Sequence, residues 1–379
     1  MIISKLVDDS RMGRLEFKVD RKGKRSSELW CQIPPEHSGL LSDRLDGALV
    51  ALLVPAMLAG EDLVAEGTGT DVLIERLNDP IQTLLRTNFP QLSRISVHAS
   101  HLLPPAKGGK QVAAGFSGGI DSFTMIRDHY LNGWDSSERI DTLLFTNVGS
   151  HGSGGTELFH RRGNRVQSIA RRLGLPLVMV DTNLDSFYQG ISYERSHVLR
   201  NASVAHLLQG GVSRWWHAST YAWSQLSLKP DPYQARIEPL LLALLCIGNL
   251  SLMSTGSQYT RLDKYRIVAS MEIAQDSLDV CVQTYGDRNC GRCPKCGPLL
   301  LAMELLGTPD VFAEVFDMAA YRSERDQIIG QVLTGTRPQD TELRALMRTT
   351  GHGLNFTILR EATLNVGRKA WGKVSRRTR

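Results

Sequence analysis

Two stretches of this chain carry residue types at spacings that do chemistry. In Lys110 to Tyr130, KQVAAGFSGGIDSFTMIRDHY, a short buried strand over Val112 to Phe116 runs into a glycine turn, and a helix opens at Asp121 and Ser122. Gly118 and Gly119 accept positive φ and put no side chain between backbone and ligand. Successive N–H groups can therefore point at one anion while the helix N-terminus adds its dipole. That is a phosphate cradle. It is not of the Walker type, because no G-x-x-x-x-G-K-[ST] occurs and the nearest Gly-Gly-Lys, Gly108 to Lys110, is followed by Gln111. The same residues, Gly115 to Gly119, also satisfy G-x-S-x-G, which would make Ser117 a nucleophile with a downstream Asp and His352 as base.

The second stretch holds Cys281, Cys290, Cys293 and Cys296, spaced C-x8-C-x2-C-x2-C. Four thiolates in one loop close a tetrahedral zinc site with no position left for water. Gly291 and Gly297 are expected to help the backbone curl around the ion, and an iron–sulfur cluster, which needs similar ligands, stays open. Four of the six cysteines lie within sixteen residues, which for a cytosolic enzyme favours a metal over disulfides.

The elements that must position these residues follow from periodicity. Strands are expected at Thr142 to Val148 and Leu177 to Val180, helices at Glu157 to Leu173 and Ala202 to Leu208, and a strand at Val212 to Ser219. Within that last strand, the core is the safer place for both Trp215 and Trp216. A buried helix at Glu238 to Ile247, a strand at Ser251 to Thr255 and a helix at Lys264 to Ile273 lead into the cysteines. Strand alternating with helix predicts an α/β, doubly wound, mostly parallel sheet, whose ligand lies beyond the carboxyl ends of the strands. Before it, residues 1–105 read as an N-terminal α+β domain: strands at Arg14 to Val19, Glu28 to Ile33 and Ile95 to Ala99, helices from Ser42 to Leu58 and from Asp71. Its His37, His98 and His101 have no metal-ligand spacing. The breaker-rich Pro104 to Gly109 sets the boundary, giving an α/β domain at 110–280 that carries the phosphate cradle, a four-cysteine zinc-binding segment at 281–325 and a C-terminal extension at 326–379.

At 379 residues, 42% hydrophobic and 22% charged, the composition is that of a globular protein with a sizeable core. The net charge of +5 owes much to Arg368, Lys369, Lys373, Arg376, Arg377 and Arg379, read as a solvated tail and not as a nucleic-acid or membrane contact. The first residues lack an apolar signal-like run, and Ala48 to Ala59 contains Pro55 and is too short to span a bilayer, so a cytoplasmic location is expected.

Ser117-Gly118-Gly119-Ile120-Asp121-Ser122 resembles the SGGxDS loop of the PP-loop ATP pyrophosphatases, and the wider pattern resembles their 7-cyano-7-deazaguanine synthase (QueC-like) branch. Asn147-Val148-Gly149-Ser150-His151, with Glu157 following, looks like a degraded form of that family's D-Y-G-Q-R-H stretch. Arg200-Asn201 matches its R-N pair, Tyr265 to Val268 resembles its K-A-E-I-V helix, and the cysteines repeat its zinc spacing. The chain departs from the family at Asp231 to Arg236 and at Asp279-Val280, and about 105 residues before the core and 70 after it have no counterpart.

The resemblance implies a PP-loop/HUP-type Rossmann-like core that binds ATP with Mg²⁺ and Zn²⁺ and adenylates a small-molecule carboxylate, deazapurine-like, releasing pyrophosphate. An amine then displaces AMP to give an amide or nitrile, and a protein amine or an antiphage role would suit a specialised relative. Ser117, Gly118, Gly119, Ile120, Asp121, Ser122, Asn147, Arg200 and Asn201 would hold the nucleotide. Asp121 would orient the loop or hold the metal through water, and Arg200 and Lys264 would neutralise phosphate. A homodimer is implied. The alternatives are a tRNA-modifying relative, which wants a catalytic cysteine better than Cys246, and the Ser117 hydrolase.

Overall fold

The structure is a computed structural model that describes residues 1–132, 136–151, 155–282, 286, 288–353 and 356–375, and the side chains of all of these except 7–10 and 369–375. Arg376, Arg377 and Arg379 of the basic tail, and Gly133 after the first helix, lie outside the described residues. The chain divides into two compact units, Met1–Ser117 with Met125–Ser257, and Gly118–Thr124 with the chain from Gln258 onwards.

The first unit is built on one ten-stranded sheet: β1 Ile2–Asp9, β2 Arg14–Asp20, β3 Ser27–Gln32, β4 Leu63–Thr70, β5 Val97–Leu103, β6 Gln111–Gly115, β7 Thr142–Asn147, β8 Leu177–Thr182, β9 Val212–Ala218 and β10 Ser251–Thr255, in the order β10-β9-β6-β7-β8-β3-β2-β1-β4-β5. From β10 to β8 every pairing is parallel. The inner β6, β7 and β8 are mostly apolar, as strands of a parallel sheet covered on both faces are. The chain leaves β6 on one side through β7 and β8, then returns to the other side at β9, so the order reverses between β6 and β9.

The N-terminal strands do not form a sheet of their own. β3 pairs antiparallel with β8 through Cys31↔Thr182 and Gln32↔Asp181. The Asn183 side chain extends that short ladder, accepting from Trp30 N (2.8 Å) and donating to Glu28 O (2.7 Å). An expected boundary after residue 105 thus falls inside a continuous sheet, because the outer edge of β8 would otherwise present unpaired backbone groups. Helix Asp46–Ala59 is buried from Asp46 to Met57 and packs on helix His197–Leu207. Its near-uniform apolarity is that of a helix enclosed in a core. No helix among the described residues is long and apolar enough to cross a membrane.

The second unit is helical after the glycine loop. Helix Cys296–Leu305, buried from Cys296 to Met303, packs against Arg261–Ala269, Met318–Thr334 and Pro338–Thr349, and Phe356–Ser375 lies on Met318–Thr334. Short polar residues start two of these helices. Thr260 and Asp263 satisfy each other's backbone N–H, and Asp317 accepts from Ala320 N at 2.9 Å. Met318–Thr334 runs through the expected division at residue 325, so the cysteine segment and the C-terminal extension share one bundle.

Candidate functional site

The strand expected at Val112 to Phe116 is β6, and it delivers Ser117 to the carboxyl edge of the sheet with its side chain exposed. Gly118 follows at φ 73°, the left-handed conformation that a side chain disfavours, and helix Ile120–Ile126 begins two residues later. Gly118 O accepts from Asp279 N (2.9 Å), Gly119 O from Phe123 N (3.0 Å), and Ile120 is buried. Ser122 Oγ donates to Gly119 O at 2.9 Å. That bond secures the turn.

Asp121 is the best-held side chain of the loop. Arg261 Nη1 and Nη2 meet its two oxygens at 3.0 and 3.2 Å, and Lys264 Nζ, almost fully buried, adds a contact at 2.9 Å. Burial alone would raise this carboxyl, but Arg261 and then Lys264 hold it below its ordinary value of 3.8. Two cations on one carboxylate fix the start of the helix. Lys264 accordingly serves Asp121. Arg261, 140 residues away in sequence, completes the cluster without any sequence spacing to announce it.

Arg200 is fully buried. Its Nη1 donates to Val148 O (3.0 Å) and Asp185 Oδ1 (2.6 Å), its Nε to Ser196 Oγ (2.9 Å), and its guanidinium lies 3.9 Å from the Tyr188 ring centroid. The expected phosphate contact is corrected on this geometry: Arg200 pins the turn after β7. Gly149 there has φ 103°, and a Cβ would meet Arg200 Nη1 at 2.1 Å. Asn201 works beside it, accepting from Thr146 Oγ1 (3.0 Å) and donating to His197 O (2.8 Å), while Asn147 donates to Asp181 Oδ1 (2.7 Å). Glu157 points into solvent. This R-N pair and its asparagine partner shape the carboxyl edge of β7 and β8.

The sequence did not mark a second cluster at that edge. His217 near the end of β9, His197 at the start of helix His197–Leu207 and Glu238 at the start of helix Glu238–Leu245 bring their ligand atoms within 4.8 Å of one another. The β6–β9 register sets Ala114 beside Trp216, so His217 lies level with the exit of β6, where the strand order reverses. Gln234 Oε1 caps the backbone of Val198 (2.9 Å), which holds the His197 helix in place. Burial, reinforced by His217, pushes the His197 imidazole down to about 4. Trp215 and Trp216 are both core, the latter stacked on His129 with centroids 3.9 Å apart. The signal that could have found this cluster is position, a histidine at the carboxyl end of a strand flanking the switch point.

In the helical unit Cys281, Cys290, Cys293 and Cys296 place their sulfurs within 4.8 Å of one another, so the four together could hold a metal ion such as zinc. Backbone N–H groups of Cys293 and Cys296 point at the sulfurs of Cys290 (3.4 Å) and Cys293 (3.5 Å), as in loops that wrap thiolates. Asn289 clamps the loop, accepting from Cys281 N (2.9 Å) and donating to Leu278 O (2.8 Å) and Val315 O (2.9 Å). Gly291 has φ 71° as expected, whereas Gly297 is needed for packing, since a Cβ would lie 3.0 Å from Ile328. His352 Nε2 faces Arg325 at 3.2 Å, a poor setting for a general base, and Cys246 Sγ is engaged with Leu242 O and Leu252 O. No protein-family model, curated protein or solved structure matches this chain.

Proposed function

We propose that the protein is an ATP-dependent, AMP- and pyrophosphate-forming ligase of the PP-loop kind, acting on a deazapurine-like carboxylate and an amine. The observation that carries this reading is the Ser117–Ser122 loop, which leaves the central parallel strand at the reversal of strand order with Gly118 at positive φ. Open α/β sheets bind nucleotides beyond the carboxyl ends of strands at such a reversal.

In the reaction proposed, main-chain amides from Gly118 to Ser122 receive the phosphates, and the exposed Ser117 hydroxyl donates to them. Arg261 and Lys264 act through Asp121, holding the amides in register before ATP arrives, so that little reorganisation is needed as charge builds on the leaving group. A carboxylate oxygen of the substrate attacks the α-phosphorus and pyrophosphate departs. The amine then attacks the acyl carbon and AMP leaves. Mg²⁺ accompanies ATP in this chemistry, and Asp121, held by Arg261 and Lys264, would meet it through water.

Incubation with α-labelled ATP and candidate 7-deazapurine acids tests the reading. Labelled AMP with pyrophosphate, dependent on the acid, is expected. ADP with orthophosphate would overturn it.

A further inference from the structure

We propose that His197, His217 and Glu238 form a second metal site, taking a divalent transition ion such as Zn²⁺ through two imidazole nitrogens and one carboxylate oxygen. The inference stands independently of the ATP reading.

The donors are arranged as ligands of one ion. Glu238 is almost entirely buried, and its Oε1 accepts from Ser254 Oγ at 2.7 Å. Its Oε2 meets His217 Nε2 at 3.4 Å, too long for a well-formed hydrogen bond. A buried carboxylate oxygen held only by so long a contact is poorly satisfied, and an ion shared with the imidazole satisfies it better. The 3.4 Å spacing is itself that of neighbouring ligands: bonds of about 2.0–2.1 Å in a tetrahedron put donor atoms about 3.3 Å apart.

The outer contacts agree. His197 Nδ1 lies 3.3 Å from Glu194 O, the carbonyl contact that fixes a liganding imidazole and leaves its Nε2 for the metal. Ser254 fixes the carboxylate in the same way. Two histidines with one carboxylate leave at least one coordination position unfilled by protein, and His217 retains some exposure. The donor set is therefore that of an ion that meets a substrate or water, unlike the closed ring of cysteines.

The test uses the full chain, stripped of metal, reloaded with Zn²⁺ and counted by plasma mass spectrometry. Wild type should hold two equivalents, and Glu238→Gln and His217→Asn should each hold one while keeping the circular dichroism of wild type. Reloading with Co²⁺ separates the sites, because thiolate-to-cobalt charge transfer belongs to the cysteines and should persist in both variants as the nitrogen–oxygen site's visible band disappears. Ser254→Ala, which touches no metal ligand atom directly, should weaken the second equivalent about 10-fold. A single equivalent in wild type overturns the proposal whether or not the variants fold. So does a second equivalent that survives in both Glu238→Gln and His217→Asn.

Discussion

The cysteine cluster of the helical unit and the His197–His217–Glu238 cluster of the sheet unit each gather ligand atoms within 4.8 Å, yet they are built in opposite ways. The cysteines come from one loop whose ends Asn289 ties together, so their spacing along the chain is already their geometry. The histidines and the glutamate come from one strand end and two helix starts, and the packing of helix His197–Leu207 and helix Glu238–Leu245 beside β9 brings them to one place. A local cluster is bound up with the folding of its own segment, whereas an assembled one sits on a scaffold that folds without it. Metal should therefore matter to stability in the first and to chemistry in the second.

Breaking the local cluster should have the largest effect. Zinc in such sites contributes on the order of 10 kcal/mol of apparent binding free energy, so Cys293→Ser should lose that metal and lower the unfolding midpoint of the helical unit by about 10 °C or more in calorimetry. Brief treatment with a mild chelator should remove only the histidine-bound equivalent and leave the midpoint unchanged. Equal resistance of both equivalents would erase the distinction.

A smaller effect is expected at Asp121, another assembled cluster. Asp121→Asn leaves buried Lys264 and Arg261 facing a neutral amide and should cost about 3 kcal/mol in denaturant unfolding. Because the folded carboxyl lies below its ordinary value of 3.8, its stabilising contribution is fully present above about pH 4 and is lost as pH falls through the depressed value. Wild type should lose stability across that acid window, and the variant should lose less. Matching acid profiles would contradict the ion-pair account.

The same contrast explains what could be read in advance. The glycine loop, the cysteine spacing and the parallel strands were legible because each is encoded within a few neighbouring residues. β1 and β4 were not: Ile2–Asp9 mixes charge into its alternation, and Leu63–Thr70 contains Gly67 and Gly69, whose absent side chains make room for Leu45 and for Ile74 with Ala99. Arg200 looked like a phosphate ligand because an arginine's role depends on what surrounds it, and here Asp185, Val148 O and Tyr188 surround it. Arg261 carried no local sign, and the His197 cluster carried only the place of His217 at the carboxyl end of a strand. Their meaning lies in residues separated by a whole element or, for Asp121 and Arg261, by 140 residues.

The claim on which the functional account rests is that the main-chain amides of the glycine loop grip a triphosphate. Equilibrium dialysis of the full chain against ATP and against AMP tests it most directly, with Gly118→Ala as the comparison. Wild type should prefer ATP, and a Cβ at φ 73° should abolish that preference while AMP binding stays unchanged. Equal affinity for the two nucleotides in wild type, or a preference for ATP that Gly118→Ala leaves intact, would contradict it.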